Sequence, residues 1–359
     1  MTAKRATARL ALAAAGLVLA GVACDLGVAM LGLDWRAIQD VLYTNRADAD
    51  VYEVSEDPVL HYRMRPGAQR PKGPAPDSYG VRVNAWGARG HEHAWDKPEG
   101  TFRILHFGGS TVFGALVDDD QTLSARLEQT LSARAGRPVE VWNFGHSAYV
   151  QSQMARLAQL ELARVPDVDM VMLTITNAKL RAFLDPAEVG IERYAPFFDD
   201  DPWLWLETFP DLPLAGVLGD PLATKLHRQG LRHSAIYRLA RARHQASRPR
   251  DTRSPSASEL CKVELLALEA RAAQAGVTLV YANHPDFQGA PEPEATGHVI
   301  ELADPERGAS WKEIHPSPAI LQGWAEVLAD GLLAQALVPS AGGEQDPDAV
   351  APQVGGDGS

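Results

Sequence analysis

The run Arg103-Ile104-Leu105-His106-Phe107-Gly108-Gly109-Ser110-Thr111-Val112-Phe113-Gly114 decides how the chain is read. Its first five residues form a short, mostly apolar stretch, as expected of a strand covered on both faces. Two glycines end the strand and a serine follows. In open α/β sheets, ligands gather at the carboxyl ends of the strands. A serine there, between small residues that let a substrate approach the backbone, is well placed to be a nucleophile. Glycine-rich turns after first strands also cradle phosphates. This one lacks the G-x-G-x-x-G spacing and the P-loop lysine, so no nucleotide site is expected.

Downstream, the same alternation continues. Asp118–Asp120 supply acidic residues to the start of a helix expected from Gln121 to about Ala135. Further strands are expected at Val139–Asn143, Met170–Ile175 and Val277–Tyr281, with helices at Gln151–Arg164 and Glu259–Ala275. Ser317 and Pro318 read as an N-cap and first helical residue, opening a last helix to about Ala336. Strand–helix alternation of this kind predicts a doubly wound α/β domain.

Upstream, residues 34–100 are rich in Pro, Gly, Arg and Tyr, and are expected to be an extension packed on the main domain, with short strands around Val81–Asn84. The domain itself runs over 101–338, interrupted by a large insertion at about 184–255. The first part of the insertion, Phe197–Phe209, carries Trp203 and Trp205; the second, Leu226–His244, is basic and amphipathic. It is expected to form a helical cap on the domain, and its aromatics are candidates for lining a sugar-binding cleft. The tail, 339–359, is Gly-, Ala-, Asp- and Pro-rich and is expected to be disordered.

Residues 1–33 form a signal anchor or signal peptide. Lys4, Arg5 and Arg9 precede an apolar run from Leu10 to Cys24, and Leu26–Leu33 is again apolar. Together these reach the roughly 20 residues that a bilayer span needs. The basic flank predicts the N-terminus inside and the body on the outer side of the membrane. Cleavage near Gly21 and Ala23, or lipidation of Cys24, are the alternatives. Asp25 counts against a span, at about 2.5–3.5 kcal/mol for a mid-membrane carboxylate.

The net charge of −12 over 359 residues argues against nucleic-acid binding. The two cysteines, Cys24 and Cys261, leave the folded region with one thiol and no internal disulfide. Scattered histidines and carboxylates offer no metal-ligand spacing, so neither a metal nor a cofactor is expected.

Three further positions complete the chemistry. Asn143-Phe144-Gly145-His146-Ser147 follows the second strand, and the Gly145 N–H is a candidate donor to an oxyanion. Asn177, after the third strand, offers a side-chain amide. His315 lies just before a helix N-terminus, whose positive end disfavours protonation and suits a general base. His106, His146 and His284 read as structural.

In this order, over roughly residues 101–336, these positions resemble the SGNH/GDSL-type serine hydrolases. Asp57–Gly67 and Val81–Gly90 resemble lead-ins of membrane-anchored bacterial members. The resemblance implies a three-layer α/β/α sandwich with a five-stranded parallel sheet, flavodoxin-like in build. It implies Ser110 as nucleophile, His315 as base, and an oxyanion hole made by Ser110, Gly145 and Asn177. The family usually places Asp three residues before the histidine; here that position is Lys312, so Glu313, Asp304 or Glu306 would have to orient the ring. The third block also departs, reading Thr176-Asn177-Ala178-Lys179. The implied activity is esterase action on an exported O-acylated glycan or lipid. An O-acyltransferase, or a catalytically degenerate domain that binds a glycan or partner protein, are the alternatives.

Overall fold

The computed structural model describes residues 2–41, 51–74, 78–175, 215–247, 255–283, 297–302 and 315–341. In chain order it begins with helices α1 (Thr2–Met30) and α2 (Leu33–Val41). Two antiparallel hairpins follow, β1 (Tyr52–Val54) with β2 (Tyr62–Met64) and β3 (Gln69–Arg70) with β4 (Val81–Arg82). Then come β5 (Phe102–Gly108), α3 (Ser110–Phe113), a 3-10 turn at Asp119–Gln121, α4 (Leu123–Ala135), β6 (Val139–Gly145), α5 (Gln151–Arg164) and β7 (Met170–Ile175). The insertion contributes α6 (Ala215–Leu218), α7 (Asp220–His233) and α8 (Ala235–Ser247). Last are α9 (Pro255–Ala275), β8 (Thr278–Asn283), β9 (His298–Glu301) and α10 (Pro318–Ala334).

The five strands β5–β9 make one all-parallel sheet in the order β6-β5-β7-β8-β9. Side chains alternate across it, as the period of two requires. Ile104, Val141, Met172 and Val280 face one layer, where Leu127 and Leu131 of α4 meet Trp324 and Leu328 of α10. Leu105, Phe107, Phe144, Leu173 and Tyr281 face the other, with Met154 and Ala158 of α5 and Leu265 and Leu268 of α9. Burying each such large side chain stabilises the fold by about 1.5–3 kcal/mol. The result is the expected α/β/α sandwich. In this strand order the chain reverses direction across the sheet beside β5, so the crevice at the carboxyl end of β5 is the topological switch point.

Arg134, in the last turn of α4, donates to Glu326 O and pairs with Asp330, both in the second half of α10. The two helices therefore run side by side in the same sense, and their first turns share one edge of the sandwich. That edge is the one onto which β5 delivers Ser110.

The extension shares the core of the sheet. Tyr62 Oη donates to Ser147 O at 2.5 Å, Tyr52 Oη accepts from Ser147 N at 2.9 Å, and Gln153 Nε2 donates to Leu60 O at 2.9 Å. These bonds tie the first hairpin to the segment between β6 and α5. Cys261 lies buried in this layer, and burial pushes its thiol up to about 12, so it stays protonated and unreactive.

In the described half of the insertion, residues 215–247, the strongest contacts lead to the N-terminal helices. The chief packing partners of α8 are α2 and α1. Asp25 Oδ1 accepts from Ser234 Oγ at 2.7 Å and Ile236 N at 2.9 Å, and so caps the N-terminus of α8. Arg238 pairs with the buried Asp34 at 2.8 Å. The carboxylate that counted against a membrane span thus has donors from a distant helix. Within α1, Leu12–Met30 is long and apolar enough to cross a membrane, and none of it is buried. The aromatic stretch Phe197–Phe209 lies outside the described residues.

Candidate active site

Ser110 is the first residue of the short helix α3, directly after β5, with Gly109 as its N-cap. It is half-buried. Among the described residues, nothing hydrogen-bonds its hydroxyl or its N–H. Its carbonyl accepts from Gly114 N at 2.9 Å and Ala115 N at 3.0 Å, closing the turn beneath it.

Two glycines allow α3 to sit against the sheet. Gly108 and Gly145 face each other in the β5–β6 register. A Cβ on Gly145 would lie 2.2 Å from Phe113 N and 2.5 Å from Val112 C; one on Gly108 would lie 2.9 Å from Thr174 O and closer still to the Val112 side chain. Gly114 ends α3 in the left-handed region at φ +85°, with no room for a Cβ beside Thr122.

Two polar side chains hold this turn. Asn143, buried in β6, donates Nδ2–H to Val112 O at 2.8 Å and accepts from Gly145 N at 2.9 Å. The Gly145 N–H, the expected oxyanion donor, is held by Asn143 Oδ1 in this structure, and the glycine also lets α3 pack closely against β6. The other clamp is Arg89, whose side chain is fully buried. Its Nη1 donates to Phe113 O and Gly114 O, both at 2.7 Å. Its Nη2 donates to Gly80 O at 2.9 Å and Val117 O at 2.7 Å, and its Nε to Asp119 Oδ1 at 2.8 Å. All five guanidinium donors are used. Neither role is visible in the sequence, where Asn143 reads as a strand end and Arg89 is only one member of the run Val81–Gly90.

The loop after β6 borders the turn from the other side. Tyr149 O lies 3.8 Å from where a Gly109 Cβ would stand. Ala148, buried in this loop, adopts a φ of +65°. A non-glycine residue there costs about 1–2 kcal/mol, which the tyrosine bonds to Ser147 help to offset.

His146 and His106 are both fully buried and structural. His146 Nδ1 faces Phe144 O at 2.9 Å, and Nε2 faces Met64 N at 2.9 Å. A carbonyl only accepts and an N–H only donates, so the ring is the neutral Nδ1–H tautomer. His106 bridges Ser124 Oγ at 2.9 Å and Thr174 Oγ1 at 2.8 Å. Burial lowers His146 to about 4 and His106 to about 3 from an ordinary value of 6.5. As pH falls below about 6.5 the unfolded chain binds both protons and the folded chain does not, so stability is lost on acidification. Each group contributes about 1.4 kcal/mol per pH unit. Denaturant titrations at pH 7 and pH 5 are expected to differ by roughly 4 kcal/mol from these two groups. His146→Gln, which can keep both hydrogen bonds, should remove about half of that difference; a wild-type profile flat across this range would show the rings to be protonated in the fold.

His315 is half-buried and stands three residues before α10, whose N-cap is Ser317. It thus lies at the helix edge shared with the start of α4. Asn177, Lys312, Glu313, Asp304, Glu306 and His284 fall outside the described residues. One group missed by the sequence reading is a His/Glu cluster: His91, His93 and Glu128 converge on a cavity beside the Arg89 clamp.

No family model and no curated protein matches the chain. Among solved structures it is similar to a mutant form of AlinE4, an SGNH-hydrolase family esterase, at 13% identity and a TM-score of 0.31, covering 68% of this chain and 100% of that one. It is similar to TesA at 17% identity and a TM-score of 0.26, over 66% of this chain and 99% of that one. It is also similar to a mutant of Axe2, an acetyl-xylooligosaccharide esterase from Geobacillus Stearmophilus, at 15% identity and a TM-score of 0.26, over 67% and 97%. At such identities and scores the likeness adds no argument about activity, and any reading of the site rests on its residues.

Proposed function

We propose that this chain is a membrane-tethered serine hydrolase that cleaves an O-acyl ester of an exported glycan or lipid. The observation that carries this reading is the placement of Ser110. It lies at the carboxyl end of β5, at the switch point of the sheet, with hydroxyl and N–H both uncommitted among the described residues. In the proposed reaction Ser110 Oγ attacks the acyl carbon and His315 takes its proton. The Ser110 N–H and the Asn177 amide hold the oxyanion. The alcohol leaves with a proton from His315, and water then releases the acyl group from the serine. Glu313, Asp304 or Glu306 orients the imidazole in place of the carboxylate that Lys312 displaces. Loss of such a carboxylate costs serine proteases about 10⁴ in rate, a large penalty but not abolition. The apolar face of α1 supports a membrane anchor, and Lys4, Arg5 and Arg9 support an N-terminus inside and a body outside.

Labelling of the full chain in detergent micelles with a fluorophosphonate tests this. Wild type is expected to label, Ser110→Ala not at all, and His315→Ala roughly 10²–10⁴-fold more slowly. Folded wild-type protein that does not label sinks the hydrolase reading. The Lys312 substitution would then favour a domain that binds a glycan or a partner protein. If labelling succeeds, the ratio of acyl transfer to a sugar hydroxyl over transfer to water separates transferase from hydrolase.

A further inference from the structure

His91 and His93 leave the extension two residues apart, just beyond the Arg89 clamp, and Glu128 rises to meet them from the middle of α4. His91 Nε2 lies 3.2 Å from Glu128 Oε1, and His93 Nε2 lies 3.0 Å from Glu128 Oε2. The two imidazole centroids are 4.2 Å apart, and one ligand atom from each of the three residues fits within 4.8 Å of the others. Ligands held at 2.0–2.1 Å around a tetrahedral zinc ion stand about 3.3 Å from one another, so little movement is needed to admit one.

The cluster is also supported from outside. His93 is almost wholly buried and stacks on Trp142, with centroids 5.2 Å apart and planes 20° apart, which fixes its ring. Glu128 Oε2 accepts Val141 N at 2.8 Å, which fixes the carboxylate against β6. The three groups line a cavity of about 320 Å³, where Asp119 and Asp120 face Arg82 and Arg89 across the wall.

We propose that His91, His93 and Glu128 form a binding site for a divalent transition metal of the zinc class, separate from the serine centre. Two imidazoles and one carboxylate suit zinc better than calcium or magnesium, which prefer oxygen ligands alone. The ion takes the place of the Nε2 protons that His91 and His93 now donate to Glu128, and each neutral ring then carries its proton on Nδ1. It links the extension to α4 directly beside Arg89, and so braces the segment that the Arg89 clamp holds.

The test uses the full chain in detergent micelles, stripped with a chelator and then titrated with Zn²⁺ in competition with a chromophoric chelator. One zinc per chain is expected, with a rise in the thermal-unfolding midpoint. His91→Ala and Glu128→Gln should each weaken binding by more than the roughly 10–100-fold that losing an outer-shell contact costs, and should abolish the midpoint rise. His91 is half-exposed, so its replacement leaves the core intact; His298→Ala, at an exposed site on β9, is the control and should bind as wild type. Failure of wild type to bind zinc overturns the proposal. So does stoichiometric binding that survives both ligand substitutions, since the ion would then sit elsewhere.

Discussion

Replacing Arg89 with methionine is expected to lower the unfolding midpoint by roughly 10–15 °C. Methionine fills much of the same channel and removes all five donors. The backbone carbonyls of Gly80, Phe113 and Val117 lose their guanidinium donor, Gly114 O is left with Val117 N, and the Asp119 carboxylate is left with Arg82 N. Breaking a buried ionic network by removing one member costs about 3–5 kcal/mol, and a domain of this size loses about 2–4 °C per kcal/mol. Arg89→Lys keeps the charge but offers at most three donors from a single point, so it should fall between the two. Thermal unfolding followed by circular dichroism reads the effect directly. A shift within the roughly 0.5 kcal/mol typical of surface substitutions would mean that water replaces the guanidinium without loss. Fluorophosphonate labelling should fall with stability, because two of the carbonyls that lose the guanidinium, Phe113 O and Gly114 O, end the helix that begins with Ser110.

The second large effect is expected from Gly145→Ala. The added methyl meets backbone atoms, Phe113 N at 2.2 Å and Val112 C at 2.5 Å, not the tip of a flexible side chain. Either α3 lifts from the sheet or β6 bends away, and overpacking of this kind costs about 1–3 kcal/mol or more. The informative readout is labelling of the protein that remains folded. Displacing a reactive group by about 1 Å can cost 10²-fold, so a drop of that order is expected under conditions where circular dichroism shows native structure. Wild-type labelling in a folded Gly145→Ala protein would mean that contact with β6 does not set the position of the serine.

The two residues differ in how far the sequence announces them. Gly145 stands out because a glycine at a strand end beside a glycine-serine turn has few reasons to be there. Its position was legible, but its role was not, since the Asn143 side chain that takes its N–H is a matter of rotamer and register. Arg89 falls in the run Val81–Gly90, whose resemblance marks the segment but assigns the arginine no role; only the return of residues 113–119 to the same point buries it. The strands β5 to β8 were legible because they are apolar on both faces, as a covered parallel sheet demands. The fifth strand, His298–Glu301, escaped notice because it is four residues long and only Ile300 among them is buried. The pair His91 and His93 shows no metal-ligand spacing along the chain, because Glu128 joins them from α4, 35 residues beyond His93.

The contact between Asp25 and the start of α8 closes a ring of 209 residues. A plain leash would leave its cargo free to tumble. Here the first helix is also a structural member of the body it carries, joined again at Asp34 through Arg238. Two fastenings on successive helices resist rotation as well as drift, so the assembly behaves as a mast stepped into a hull. The first helix is thus coupled to the body by two routes, the chain that continues through α2 into the extension and the side-chain bonds to α8.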